Sequence, residues 1–284
     1  AILAVVLAPG ARPGGAEGAQ LEGGSSLSAG ILVGAVCVAV IGLQYAVAAM
    51  EALSRIGCQL NVQRKVQHVT SGLAIAQLFQ MLPLHTSQLA LGAAVVAFWL
   101  VQGARGCFPE VNRQFLVMFG PMLKDEERSA YRPPAALQFL VGCLLSVLAF
   151  PRRLATFCIL SATVADPVAA VAGLLLGGPR LLRRKTLGGS AACCVAGATT
   201  AAAALLLGGG HQGAPFGFVS CLWACLTCGL AAAVGELLGG IWWCLDDNLT
   251  TSFGVGLILC AVGWALGVTG ADSRHAAALA SLLH

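Results

Sequence analysis

From Leu154 to Leu176 the chain runs apolar with one charged side chain, Asp166, near its middle. A helix needs about 20 mostly apolar residues to cross a bilayer, and this stretch is long enough. Inside it an ionised carboxylate is costly to keep, so Asp166 must face a bundle interior or a wet cavity rather than lipid. Similar apolar stretches recur along the chain. The sequence is 58% hydrophobic and 10% charged, with a mean hydropathy of +0.84. A soluble domain carries roughly 25% charged residues, so this chain lacks the polar surface to cover a soluble globule. Spanning strands would alternate apolar and polar residues, whereas these runs are uniformly rich in Ala, Leu and Gly. The expectation is an all-α, polytopic transmembrane bundle of about seven to eight spans. A net charge of +4 is too small to read as a nucleic-acid signal.

Residues 1–26 read as a remnant of a leader followed by a Gly- and Ser-rich linker. Residues 27–270 read as the membrane domain and 271–284 as a short polar tail. The expected spans are 27–49, 64–82, 89–101, 135–150, 154–176, 191–207, 216–238 and 249–268. The segment 102–134 carries most of the charge, and within it 111–123 is half apolar and suited to the membrane interface. With this topology, 12 of the 16 Lys and Arg residues fall on one side, which the positive-inside rule assigns to the cytosol or stroma. Most of the 12 Cys sit in apolar runs and behave as small hydrophobes. Cys221, Cys225 and Cys228 have a spacing seen in iron–sulfur motifs, but they lie in a lipid-type helix and read as packing residues.

Three polar constellations fall on the basic side. The first is Arg64-Lys65-Val66-Gln67-His68, where helical spacing puts Arg64, Lys65 and His68 on one face. It reads as a phosphate contact or proton relay, or else as an anchor snorkelling to headgroups. The second runs from Asp166 to Ser190. It holds a Gly-Gly-Pro break, the cluster Arg180, Arg183, Arg184 and Lys185, and then Thr186, Leu187, Gly188, Gly189 and Ser190. A basic, Gly-rich loop can cradle phosphates with side-chain charge and backbone N–H groups. It is no ordinary P-loop, because Arg184 stands where the Gly before Lys-Thr would be. The plain alternatives are a structural Asp and arginines on anionic lipid. The third is Glu236 with Asp246, Asp247 and Asn248, a carboxylate cluster suited to a Mg²⁺–nucleotide or to a solvated helix cap. Trp242 and Trp243 read as interfacial belt residues. The sequon Asn248-Leu249-Thr250 lies on the wrong side for glycosylation and reads as chance.

Together, RKVQH, ADPVAA with KTLGGS, and the Glu–Asp-Asp-Asn set resemble the polyprenol kinase family, which includes phytol, farnesol and dolichol kinases and the CTP-dependent diacylglycerol kinase of fungi. The resemblance covers about residues 64–257 and is nearest to the phytol kinase branch, which Gly120-Pro121-Met122-Leu123 also resembles. The chain departs from the family pattern at Ala165, Leu174 and Gly188. The resemblance implies a multi-pass membrane enzyme of a plastid membrane, ahead of the endoplasmic reticulum. Its reaction would be phosphoryl transfer from CTP, with Mg²⁺, to an isoprenoid alcohol such as phytol. Asp166 and Asp247 would hold Mg²⁺, supported by Glu236, Asp246 and Asn248. Lys185 and Arg184 would contact phosphates, with Arg64, Lys65 and Thr186 also on the nucleotide. Gly188, Gly189 and Ser190 would offer backbone donors, and His68 or a carboxylate would accept the alcohol proton. Diacylglycerol phosphorylation, cytidylyl transfer and small-molecule transport are the rival expectations. No oligomeric state follows from the sequence.

Overall fold

The computed structural model describes residues 62–182, 185–208, 218–239 and 246–265. The expected first span at 27–49, the leader and the polar tail lie outside the described residues. So do Arg183, Arg184, Trp242 and Trp243. The described chain is all-α apart from one small hairpin. Its helices are α1 (Val62–Met81), α2 (Leu84–Cys107), α3 (Pro109–Phe119), α4 (Ala135–Ala149), α5 (Arg152–Leu175), α6 (Leu187–Gly208), α7 (Phe218–Leu238) and α8 (Asp247–Ala265). Five of these, α2, α5, α6, α7 and α8, are long and apolar enough to cross a membrane. Helix α4 is apolar but only 15 residues long, and α1 is more polar.

Helix α5 is the centre of the bundle. Its residues from Leu154 to Thr163 are all buried. One face joins α6, α7 and α8 in a core of Phe157, Cys158, Ala165, Cys193, Cys228 and Leu259. The other face meets α1, α2 and α4 through Ile159, Leu160, Phe79, Leu91 and Phe139. Small residues let the helices approach closely, as is usual where lipid supplies no hydrophobic drive between helices. At the α1–α5 crossing, Gly72 faces Thr163 so closely that any Cβ there would collide with the threonine side chain. Gly72→Val should therefore push α1 away from α5 and cost about 1–3 kcal/mol by overpacking. A thermal melt in detergent reads this directly, and an unchanged melting temperature would contradict the close crossing.

At the end of the bundle away from the cavity described below, Arg152 closes α1. Its guanidinium donates to the carbonyls of Phe79 (2.6 Å) and Leu82 (3.1 Å) and lies 4.9 Å above the Phe79 ring. These carbonyls are among the last of α1, which have no partner inside the helix. At its other end α5 terminates in Leu176, Gly177 and Gly178. The two glycines have φ of 59° and 92°, the left-handed backbone that commonly ends a helix. The chain then forms an antiparallel hairpin, β1 (Arg180–Leu182) with β2 (Lys185–Thr186).

The structure revises the sequence reading at three places. Of the spans expected within the described residues, 64–82 (α1) and 135–150 (α4) are not both long and apolar enough to cross a membrane, which leaves five. The stretch Gly188-Gly189-Ser190 is not an open loop but the first turn of α6. Thr186 ends the hairpin, and its Oγ1 accepts the Gly189 N–H at 3.2 Å, the geometry of an N-cap. Helix α2 extends well past the expected 89–101 at both ends. It begins after Pro83, a residue tolerated at helix starts, and runs through Arg105 because that side chain is buried, not solvated. Arg105 is 1% exposed. It donates to Gln102 Oε1 (2.8 Å), Asn112 Oδ1 (3.1 Å) and the Glu127 carbonyl (3.0 Å), and its guanidinium lies 4.1 Å over the Phe115 ring.

Candidate functional site

One cavity, of about 480 Å³, opens at the end of the bundle where α1 and α6 begin and α5 and α7 finish. Members of all three polar constellations named from the sequence meet there, although Arg180, Gly188 and Ser190 are not among the lining residues. Arg64, Lys65 and His68 come from the first turns of α1. Asp166 comes from α5, Lys185 and Thr186 from the hairpin, and Glu236, Asp247 and Asn248 from α7 and α8. Asp246 stands next to Asp247 as the N-cap of α8, its Oδ1 accepting the Asn248 N–H at 3.2 Å. Its own N–H donates to Gln138 Oε1 on α4 at 2.8 Å. The sites are thus far apart in sequence and shared by five helices and a hairpin, which makes the arrangement a product of the whole fold.

Lys185 is the hub of the charges. Its Nζ lies 2.5 Å from Glu236 Oε1 and 2.9 Å from Asp247 Oδ2. Burial works against its charge, but Asp247 and Glu236 outweigh that and hold the ammonium protonated above the ordinary lysine range. A second lysine, Lys124, enters from the connection between α3 and α4. Its Nζ lies 2.9 Å from Asp246 Oδ2 and 3.9 Å from Asp247 Oδ1. It too is held protonated, burial being outweighed by Asp247 and Asp246. Burial, a hydrogen bond with Asp247 and the neighbouring Asp247 charge push the Asp246 carboxyl up to about 7.

Asp166 sits one residue before Pro167, within α5 and within electrostatic reach of Asp247, His68, Lys185 and Lys124. His68 donates from Nε2 to the Ala162 carbonyl at 3.1 Å and packs 4.6 Å from the Phe139 ring. A neutral imidazole donating through Nε2 keeps a lone pair on Nδ1 and can accept a proton there.

Two of the backbone donors assigned to phosphate, those of Gly188 and Gly189, are engaged within the fold. The Leu187 N–H donates to the Pro179 carbonyl and the Gly188 N–H to Gly177, while Gly189 bonds Thr186. Gly188 and Gly189 are instead small because a Cβ at either would press on the Gly177 or Ala169 carbonyl. They let α6 start against the end of α5. Ser190 is buried, and its Oγ has no hydrogen-bond partner among the described residues.

The same cavity is also lined by apolar side chains, Phe98, Phe115, Phe119, Met122, Leu123 and Leu174, drawn from α2, α3, the turn after α3, and α5. A lining that holds both charged and apolar groups suits a ligand with a polar head and a greasy chain.

Lys124, Gln138 and the aromatic side chains of α2 and α3 are parts of the site that the sequence did not single out. Lys124 was placed among the many charges of 102–134, although it directly follows the Gly-Pro-Met-Leu turn already singled out. The Cys221, Cys225 and Cys228 motif is packed in the α6–α7 core as expected. Among the described residues, no three His, Cys, Asp or Glu side chains converge on a metal position. Two buried oxygens at the cavity, Glu236 Oε2 and Asn248 Oδ1, are nonetheless without a hydrogen-bond partner among the described residues. Mg²⁺ bound with a nucleotide typically takes only one or two protein carboxylates, so this donor set fits a metal carried in by phosphates. The chain matches no protein-family model, no curated protein and no solved structure.

Proposed function

We propose that the protein is a membrane-embedded kinase of lipid alcohols, using CTP to phosphorylate the hydroxyl of an isoprenoid alcohol such as phytol. The observation that carries this reading is one cavity whose lining joins lysines and a carboxylate cluster with apolar and aromatic side chains. Phosphoryl transfer asks the protein mainly for in-line positioning and charge neutralisation. Lys185 and Lys124 supply fixed positive charge, with Arg64 and Lys65 at the same opening. Asp166, Asp247 and Asn248 would hold Mg²⁺, with Glu236 and Asp246 behind them. When bound, that ion supplies charge neutralisation on the transferred phosphoryl group. His68 or one of the carboxylates would take the alcohol proton. The apolar side chains of the lining would bury the chain at about 0.8 kcal/mol per CH₂. The sequence resemblance to polyprenol kinases points to the same chemistry.

The test is product analysis. Purified protein in detergent is given Mg²⁺ and labelled CTP or ATP, with phytol, farnesol, dolichol or diacylglycerol. The proposal expects a phosphorylated prenyl alcohol and CDP. Pyrophosphate release would indicate cytidylyl transfer instead. Phosphatidate made from diacylglycerol alone would move the acceptor class, and nucleotide-independent flux of a solute in proteoliposomes would favour a transporter.

A further inference from the structure

Among the described residues, Lys124 is the one cation lining the cavity that reaches it from a connection instead of from a helix or the hairpin, and it spans 122 residues of sequence to Asp246. Flexible connections make poor carriers of site residues, because an ordered lysine gives up much rotamer freedom. This connection is held at several points. The Lys124 N–H donates to Glu127 Oε2 at 3.1 Å, and the Ala135 N–H donates to Glu127 Oε1 at 3.2 Å. Glu127 is 5% exposed, so both its oxygens act as a buried staple across the start of α4. Its own carbonyl accepts the buried Arg105 Nη2, and Gln102 Nε2 donates to the Ala130 carbonyl at 2.8 Å. Arg105 in turn is fixed by Gln102, Asn112 and Phe115. A buried guanidinium therefore locks the backbone from which Lys124 projects.

The geometry around Asp247 is the second observation. Its two carboxylate oxygens face different lysines, Oδ2 toward Lys185 and Oδ1 toward Lys124. Two ammonium groups thus flank one carboxylate at the wall of the cavity. Each carries three N–H donors. Lys185 spends two of them on Glu236 and Asp247, while Lys124 has one close partner at 2.9 Å. Lys124 is also the more open of the two, 35% exposed against 20%.

We propose that Lys124 is a second phosphate-binding cation, presented to the nucleotide by a connection that Arg105 and Glu127 hold rigid. This rests on the kinase reading above and adds to it a contact that the sequence did not assign. A phosphoryl oxygen entering beside Asp247 meets both ammonium groups. Lys185 then works from the hairpin side and Lys124 from the α3–α4 side. The contact is assigned to the distal phosphates, which CTP carries and a nucleoside monophosphate lacks.

The experiment is equilibrium binding to the purified full chain, with Mg²⁺ and either CTP or CMP as the probe. A charge-assisted hydrogen bond contributes on the order of a factor of ten in affinity. Lys124→Gln should weaken CTP about ten-fold, leave CMP within about two-fold, and leave the protein folded by thermal melt. Lys124→Arg, which keeps the charge at a partly open position, should recover most of the CTP affinity. The same comparison in an Asp246→Asn background separates the two roles of Lys124, because a coupling cycle isolates their interaction. A phosphate contact predicts that the ten-fold loss persists there. Loss of the effect in that background would mean that Lys124 only pins Asp246, and would overturn the proposal. So would CTP affinity unchanged in Lys124→Gln, with wild-type binding intact and the kinase reading untouched. A wild-type chain that binds no CTP would overturn both.

Discussion

Lys185→Ala is expected to lower phosphoryl transfer by about 10²-fold or more, and to lower the melting temperature as well. The first effect follows from the loss of a fixed charge on phosphate, worth a few kcal/mol in a preorganised site. The second follows from Glu236. That side chain is 5% exposed and its Oε1 rests on the lysine at 2.5 Å. Removing the lysine orphans a buried carboxylate, and breaking such a pair from one side costs about 3–5 kcal/mol. Asp247 is affected less, since Lys124 still stands 3.9 Å from its other oxygen. The two effects are separable. Adding Glu236→Gln to Lys185→Ala removes the orphaned charge and should restore much of the melting temperature. It should restore none of the turnover. Lys185→Arg should keep the fold but recover little activity, because a planar fork is a poor substitute for an ammonium between two carboxylates. If the double variant regained turnover along with stability, Lys185 would be a structural counter-ion and nothing more.

How far the sequence revealed this molecule depended on the scarcity of charge. In a chain so apolar, each ionisable residue inside or beside a span stands out, and Asp166, Lys185, Glu236 and Asp247 were all identified for that reason. The same contrast located α4, α5, α7 and α8 to within a few residues. It failed where polarity and position part company. Arg105 looked like a solvated loop residue and ended α2 too early, whereas the hydrogen bonds it donates to three acceptors and the face of Phe115 allow it to be buried. Gly188 and Gly189 looked like loop glycines, because glycine is disfavoured within helices. Their role is close approach of α6 to the end of α5, a tertiary demand that no local pattern carries. Lys124 was hidden for the opposite reason. It lies in a segment crowded with charges, and only the fold selects which of them turns inward. The pairing of Lys124 with Asp246 joins residues 122 apart, and no spacing rule reaches that far.

The last expectation concerns the carboxylates on either side of Lys185. Asp247→Asn should leave the fold nearly intact, because each lysine that contacts it keeps another carboxylate: Glu236 for Lys185 and Asp246 for Lys124. The variant is therefore a clean probe of chemistry. If Asp247 and Asp166 share one Mg²⁺, replacing either with Asn should raise the Mg²⁺ concentration for half-maximal rate and lower the maximal rate. Residues that act as a unit are strongly non-additive, so the double variant should be little worse than the poorer single one. Asp166 has the harder position, inside α5 next to Pro167. Should it serve only as a counter-charge for the lysines nearby, Asp166→Asn would lower the melting temperature, by an amount matching about 3–5 kcal/mol, while the surviving enzyme kept its Mg²⁺ requirement. A Mg²⁺ titration of the three variants beside thermal melts in detergent distinguishes these cases. Independent, multiplicative losses with an unchanged half-saturating Mg²⁺ would exclude a shared metal. On the kinase reading, neutralising the phosphates would then fall to the basic side chains of the cavity, Lys185, Lys124, Arg64 and Lys65.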